Sequence, residues 1–211
     1  MEQQKLLDHR VSILSLMWFQ ECHNRYYHKD IYHLQTMRAL THFNNHLVKY
    51  NGVIERKMDV GEFAQKEILD AMICCMSAFS VLNYDLSNYY RASVNDNKKY
   101  VTFPDLYFIA TIPRWNEIRV ITQEISKLLE GWDHVEALPY REGLQKHFTQ
   151  AFLIYYGIYL DNGKKGFVDD YVQRLNKIKE KNVFHEDYLK RCLPAGGYML
   201  TTFDVESESC L

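Results

Sequence analysis

Apolar residues recur along this chain at three- and four-residue intervals, a pattern that predicts helices joined by short breaks. A first helix is expected from about Gln3 to Arg25, with Leu6, Val11, Leu14, Met17, Trp18 and Cys22 on or near one face. A second is expected from about Lys29 to Arg56, where Leu40, Phe43, Leu47, Tyr50 and Ile54 form a seam suited to lengthwise packing. The third is expected to start at Asp59, whose spacing to Glu62 fits a capping box, and to run to about Asn83. Its stripe Ala64, Ile68, Ala71, Cys75, Ala78 and Leu82 is flanked by Phe63, Met72, Met76 and Phe79, so most of its circumference is apolar and it belongs at the centre. Tyr84 to Pro113 reads mainly as a long connection with a short helix at Leu106 to Ala110. Helices resume at Arg114 to Glu130, Tyr140 to Leu160 and Phe167 to Lys181, with a short one near Glu186 to Cys192 and a frayed tail from about Ala195 to Leu211.

These elements predict an all-α fold, a helical bundle of about six helices in a single domain spanning residues 1–211. An internal repeat is suggested at an offset of 105 residues: His42-Phe43 falls on His147-Phe148, Tyr50 and Gly52 on Tyr155 and Gly157, and Gly61 on Gly166. Halves 1–105 and 106–211 would then be a degenerate duplication of a helical hairpin, although two hairpins of one bundle can converge on the same pattern. Near Val172 and Arg174 the second half lacks the acidic residues found at the matching place in the first.

Composition narrows the class. At 25.2 kDa, with 47% hydrophobic and 25% charged residues, the chain has the make-up of an ordinary globular domain. A formal net charge of −2 gives no reason to expect nucleic acid as partner. Five cysteines without a CxxC pair, two of them adjacent in an apolar run, predict free thiols in a reducing compartment. The charged N-terminus lacks a signal-peptide core and no apolar run reaches the ~20 residues of a membrane span, so a cytoplasmic protein is expected. The greasy third helix predicts a homo-oligomer that covers its surplus face.

The candidate chemistry lies in Glu67-Ile68-Leu69-Asp70. Asp70 is the only charge between Ile68 and Leu82, and a lone carboxylate in a buried helix must be paired, protonated or bound to a cation. Residues three apart share a helical face, so Glu67 and Asp70 could converge on a hard cation such as Mg²⁺. This ExxD element, following a helix, a break and another helix, resembles the MazG-like all-α nucleoside triphosphate pyrophosphohydrolases, whose pattern is ExxE on one helix and ExxD on the next. The resemblance covers about Leu34 to Leu82. It implies Glu67 and Asp70 as catalytic Mg²⁺ ligands, with Lys49 and His46 contacting a nucleotide or other small phosphorylated substrate. Only the second element is present: where ExxE should lie the chain reads His46-Leu47-Val48-Lys49-Tyr50, with no acidic pair before Glu55. Counting back from the hairpin, Glu67 and Asp70 should face Asn45 to Tyr50. The alternative is therefore a salt bridge from Asp70 to Lys49 in a non-catalytic helical interaction or regulatory protein that retains the scaffold.

Weaker signals have ordinary explanations. His42 and His46 are spaced like a two-histidine metal site but lack the glutamate of HExxH. The mixture of aromatic and basic residues at Asn88 to Arg91 and Lys98 to Tyr100 suits single-strand binding, yet sixteen tyrosines and eleven phenylalanines fit core packing better.

Overall fold

The computed structural model describes residues 8–28, 31, 34–107, 109–110, 115–134 and 139–181. The expected helix near Glu186 to Cys192 and the tail lie outside them. Among the described residues the protein is all-α, with one isolated bridge between Ser12 and Thr102. Its helices are α1 (Ile13–Tyr27), α2 (Thr36–Asp59), α3 (Gln65–Val81), α4 (Leu86–Val94), α5 (Phe103–Leu106), α6 (Trp115–Asp133), α7 (Tyr140–Asp161) and α8 (Phe167–Lys181).

Four long helices close a bundle in the cyclic order α2, α3, α7, α6. Neighbours run antiparallel: Asn44 and Glu55 of α2 meet Ser126 and Arg119 of α6, while Gln145 at the start of α7 reaches Leu82 just beyond α3. In that order α3 and α6 point the same way, so the segment between them must return along the bundle. This is the long connection. It carries α4 as well as the expected short helix, which sits at Phe103–Leu106. Asp85 starts α4 by accepting from the Ser87 amide at 2.8 Å, and Asn95 ends it at φ 52°. The basic groups there serve the fold, since Arg91 donates to the Lys98 and Lys99 carbonyls and Lys98 pairs with Asp105.

Two boundaries differ from expectation for identifiable reasons. Asp59 ends α2 and does not cap α3. Gly61, at φ 72°, turns the chain, and the Glu62 and Gly61 amides reach back to the Lys57 and Met58 carbonyls in the bonding of a Schellman motif. At the other end of the chain, Ser12 starts α1 by accepting from the Ser15 amide. The restart resets the buried face to Ile13, Leu16, Met17, Gln20, His23 and Tyr27, leaving Leu14 and Trp18 exposed.

α3 is central, as its composition predicts, but its circumference is covered within the chain. α2 and α7 pack on one side, α1 and α8 on the other. The second layer is bound through buried polar contacts. Gln20 donates to Ser77 and accepts from the Tyr171 hydroxyl at 2.7 Å, and His23 meets the Leu175 carbonyl. Asp8 accepts from the amides of Gly166, Phe167 and Val168, capping α8 from the far end of the sequence. Asp8→Ala is expected to cost about 1–2 kcal/mol in urea unfolding, and Asp8→Asn, which keeps an acceptor, less. Equal stability of wild type and Asp8→Ala would show that solvent serves those amides as well.

Three residue pairs 104 or 105 positions apart are joined by hydrogen bonds: Tyr155 to Asn51, Gln65 to Asp170 and Arg174 to Asp70. The packing of the two halves differs. α2 and α3 lie along one another, whereas α8 leaves α7 to lie on α3 and α1.

Candidate functional site

Asp70 is carried into the interior by its neighbours: Ile68, Leu69, Ala71 and Met72 are all buried, and α3 cannot present one face without burying the others. The burial of Tyr171 and Leu175 holds α8 against α3 and places Arg174 opposite Asp70. Arg174 Nε donates to Oδ1 at 2.5 Å and its second nitrogen to Oδ2 at 2.9 Å. This fork suits a guanidinium and a carboxylate and occupies both carboxylate oxygens. The side chains are 6% and 13% exposed, so water screens the pair little. Asp70 strengthens the hold of Arg174 on its proton, against the burial that weakens it.

Glu67 takes a different cation. Lys57 of α2 donates to its Oε2 at 2.9 Å. Burial pushes the Glu67 carboxyl up, but the Lys57 bond and charge outweigh it and leave it below the ordinary value. Thus the two acids of ExxD share a helical face but are each claimed by a separate partner.

His46 and Tyr50 line a cavity of about 180 Å³ together with Asp70, Arg174, His42 and Cys74. The expected facing of Asp70 and the middle of α2 is therefore realised at His46 and Tyr50. Lys49 is exposed and lies outside this lining. The rings of His42, His46 and Tyr50 follow one another along α2 with centroids 4.5 and 5.7 Å apart. Burial, then the neighbouring His42 and Lys49, lower the His46 pKa, and Asp70 opposes them. Burial likewise raises the Tyr50 phenol and the Cys74 thiol, leaving both protonated at neutral pH.

These residues do not fit a Mg²⁺ centre. Asp70 has no unengaged oxygen, Glu67 is turned to Lys57, and among the described residues no three His, Cys, Asp or Glu side chains stand together to hold a metal ion. What the arrangement provides is a small, partly apolar cavity with the imidazoles of His42 and His46 and a phenol on one wall and a closed ion pair on another.

Sequence reasoning missed Arg174 as the partner of Asp70, and it missed Gln20, Ser77 and Tyr171. A signal existed for Gln20 and His23, polar residues three apart on a helix whose other inward positions are apolar. No family model, curated protein or solved structure matches this chain. Among the described residues no single helix is long and apolar enough to cross a membrane.

Proposed function

We propose that this chain is a non-catalytic helical binding or regulatory protein, built on a MazG-like scaffold in which an ion pair stands where that family holds its metal. The observation that carries this reading is the Arg174 fork across both oxygens of Asp70. A guanidinium already satisfying a buried carboxylate neutralises it as Mg²⁺ would, without an open coordination position at which water could be activated. The departure at His46 to Tyr50 supports the same reading, since two of the family's four acids are missing.

The test is a panel of nucleoside triphosphates with Mg²⁺ or Mn²⁺, followed by pyrophosphate release. The expected result is no release above buffer for wild type and for Glu67→Gln alike. Turnover abolished both by EDTA and by Glu67→Gln would restore the carboxylate mechanism and remove the non-catalytic reading.

A nucleotide-binding role is the second reading, favoured by the cavity that joins His46 and Tyr50 to Asp70. It predicts nucleotide affinity that falls in His46→Ala, with Lys49→Ala testing the phosphate contact that the MazG-like resemblance implies. The cytoplasmic, reducing setting inferred from the cysteines belongs to either reading. Self-association loses its first argument, because α1 and α8 cover α3 in cis. Sedimentation at micromolar concentration separates a 25.2 kDa species from a homodimer.

A further inference from the structure

The cavity beside the Asp70–Arg174 pair is lined by polar groups that the fold leaves unused. Arg174 commits Nε and one terminal nitrogen to Asp70, while its remaining nitrogen, Nη1, has no protein partner among the described residues and is not sealed from solvent. Tyr50 keeps its proton at neutral pH, and its hydroxyl likewise meets no hydrogen-bond partner among them. One turn away on α2, the His46 ring also has none, and burial, with the charges of His42 and Lys49, lowers its pKa. Two donors and an imidazole with an open acceptor nitrogen thus face one cavity, whose apolar lining includes the buried Phe43 and Ile73. Few convergent polar groups on an otherwise apolar wall are what a small-molecule site requires.

Size and charge narrow the ligand. At about 180 Å³ the cavity is close to the about 150 Å³ that holds benzene, and well under the roughly 300 Å³ at which drug-sized pockets begin. A nucleoside triphosphate is too large, whereas one ring with one short substituent fits. Asp70 already neutralises Arg174, so a ligand carboxylate would bring a second negative charge to one guanidinium in a poorly solvated place. A neutral group that accepts on one side and donates on the other answers all three polar groups without that cost.

We propose that this cavity binds a small neutral aromatic carboxamide, one ring bearing one amide. The carbonyl oxygen accepts from Arg174 Nη1 and the Tyr50 hydroxyl, the amide N–H donates to His46, and the ring lies against Phe43 and Ile73. The inference deepens the non-catalytic binding reading and rests on it. That reading stands or falls on pyrophosphate release, this one on direct titration, so the two fail separately.

Calorimetric titration of the full chain at pH 8 uses three probes: benzamide, toluene, which lacks the amide, and benzoate, which replaces it by an anion. Benzamide is expected to bind about tenfold or more tightly than either, the scale of one or two neutral hydrogen bonds. Tyr50→Phe removes a hydroxyl that no described protein group uses, so the melting temperature should hold while benzamide affinity falls about three- to tenfold. Toluene as tight as benzamide would mean an apolar cavity without a polar edge, and benzoate as tight would mean a carboxylate site; either result overturns the proposal. So would no heat from benzamide up to about 10 mM, a benzamide affinity unmoved by Tyr50→Phe, or displacement of benzamide by ATP, which would assign the cavity to a nucleotide.

Discussion

Arg174→Met is expected to lower the unfolding free energy by about 3–5 kcal/mol, the range for removing one partner of a buried ion pair. The loss comes mainly from what remains behind. Asp70 is 5% exposed and receives both its side-chain hydrogen bonds from Arg174. Without the guanidinium, the carboxylate must stay ionised in a poorly solvated site, take up a proton, or draw water between α3 and α8. Asp70→Asn should also destabilise clearly, because a carboxamide offers one acceptor where Arg174 needs two. The double change Asp70→Leu with Arg174→Met removes both charges and should recover most of the loss, giving a large coupling in a double-mutant cycle. Urea unfolding at neutral pH measures all of these. A single-variant loss below about 1 kcal/mol would mean the pair behaves as a solvent-screened surface bridge.

The second large effect is expected on acidification. His23 is 3% exposed on α1, against the Leu175 carbonyl of α8. Its Nε2 lies 3.2 Å from that carbonyl, so the tautomer with the proton on Nε2 donates there, and Nδ1 has no partner. Burial, followed by the charges of His28 and Lys179, pushes its pKa down to about 3, and the bond to Leu175 opposes this only in part. In the unfolded chain the imidazole titrates near the ordinary value of about 6.5. Between those two values the unfolded state binds the extra proton, so the His23 contribution is complete above about pH 6.5 and is lost progressively as pH falls toward 3. At pH 5 the loss is about 2 kcal/mol relative to pH 7. Glu67, whose folded pKa is lowered, adds its own loss only below its unfolded value of about 4.5, so it does not contribute to the change between pH 7 and pH 5. Comparing urea unfolding at pH 7 and pH 5 for wild type and His23→Gln isolates the effect, since the variant has nothing to protonate. Parallel pH dependences in the two proteins would place the imidazole in contact with water.

The features that were legible in the sequence are those set by local periodicity. Leu40, Phe43, Leu47 and Ile54 repeat at helical spacing and are all buried in α2. The uninterrupted apolar character of α3 correctly predicts a central position. Even the facing of Asp70 toward His46 and Tyr50 follows from counting residues around a hairpin, because a short turn leaves little freedom in register. The partner of Asp70 was not legible. Lys49, close in sequence to the expected contact, is exposed, while Arg174 arrives from a helix whose position depends on how α1 and α8 pack together. Gly61 shows the limit at short range. Asp59 and Glu62 have the spacing of an N-cap, but a glycine between them that takes a positive φ makes the same residues the end of the preceding helix.

The anchoring of α8 also determines when the protein can finish folding. Its first turn needs Asp8, its middle needs Gln20 and Asp70, and Leu175 needs His23, so its partners lie more than a hundred residues earlier in the chain. During synthesis, a nascent chain that has reached only the end of α7 already contains all four bundle helices, yet leaves the outer side of α3 with Asp70 unmatched. That intermediate exposes apolar surface beside an unpaired acid until α8 emerges. Docking of α8 therefore closes long loops at a late stage, making it a slow and aggregation-sensitive step for a helical protein of this size.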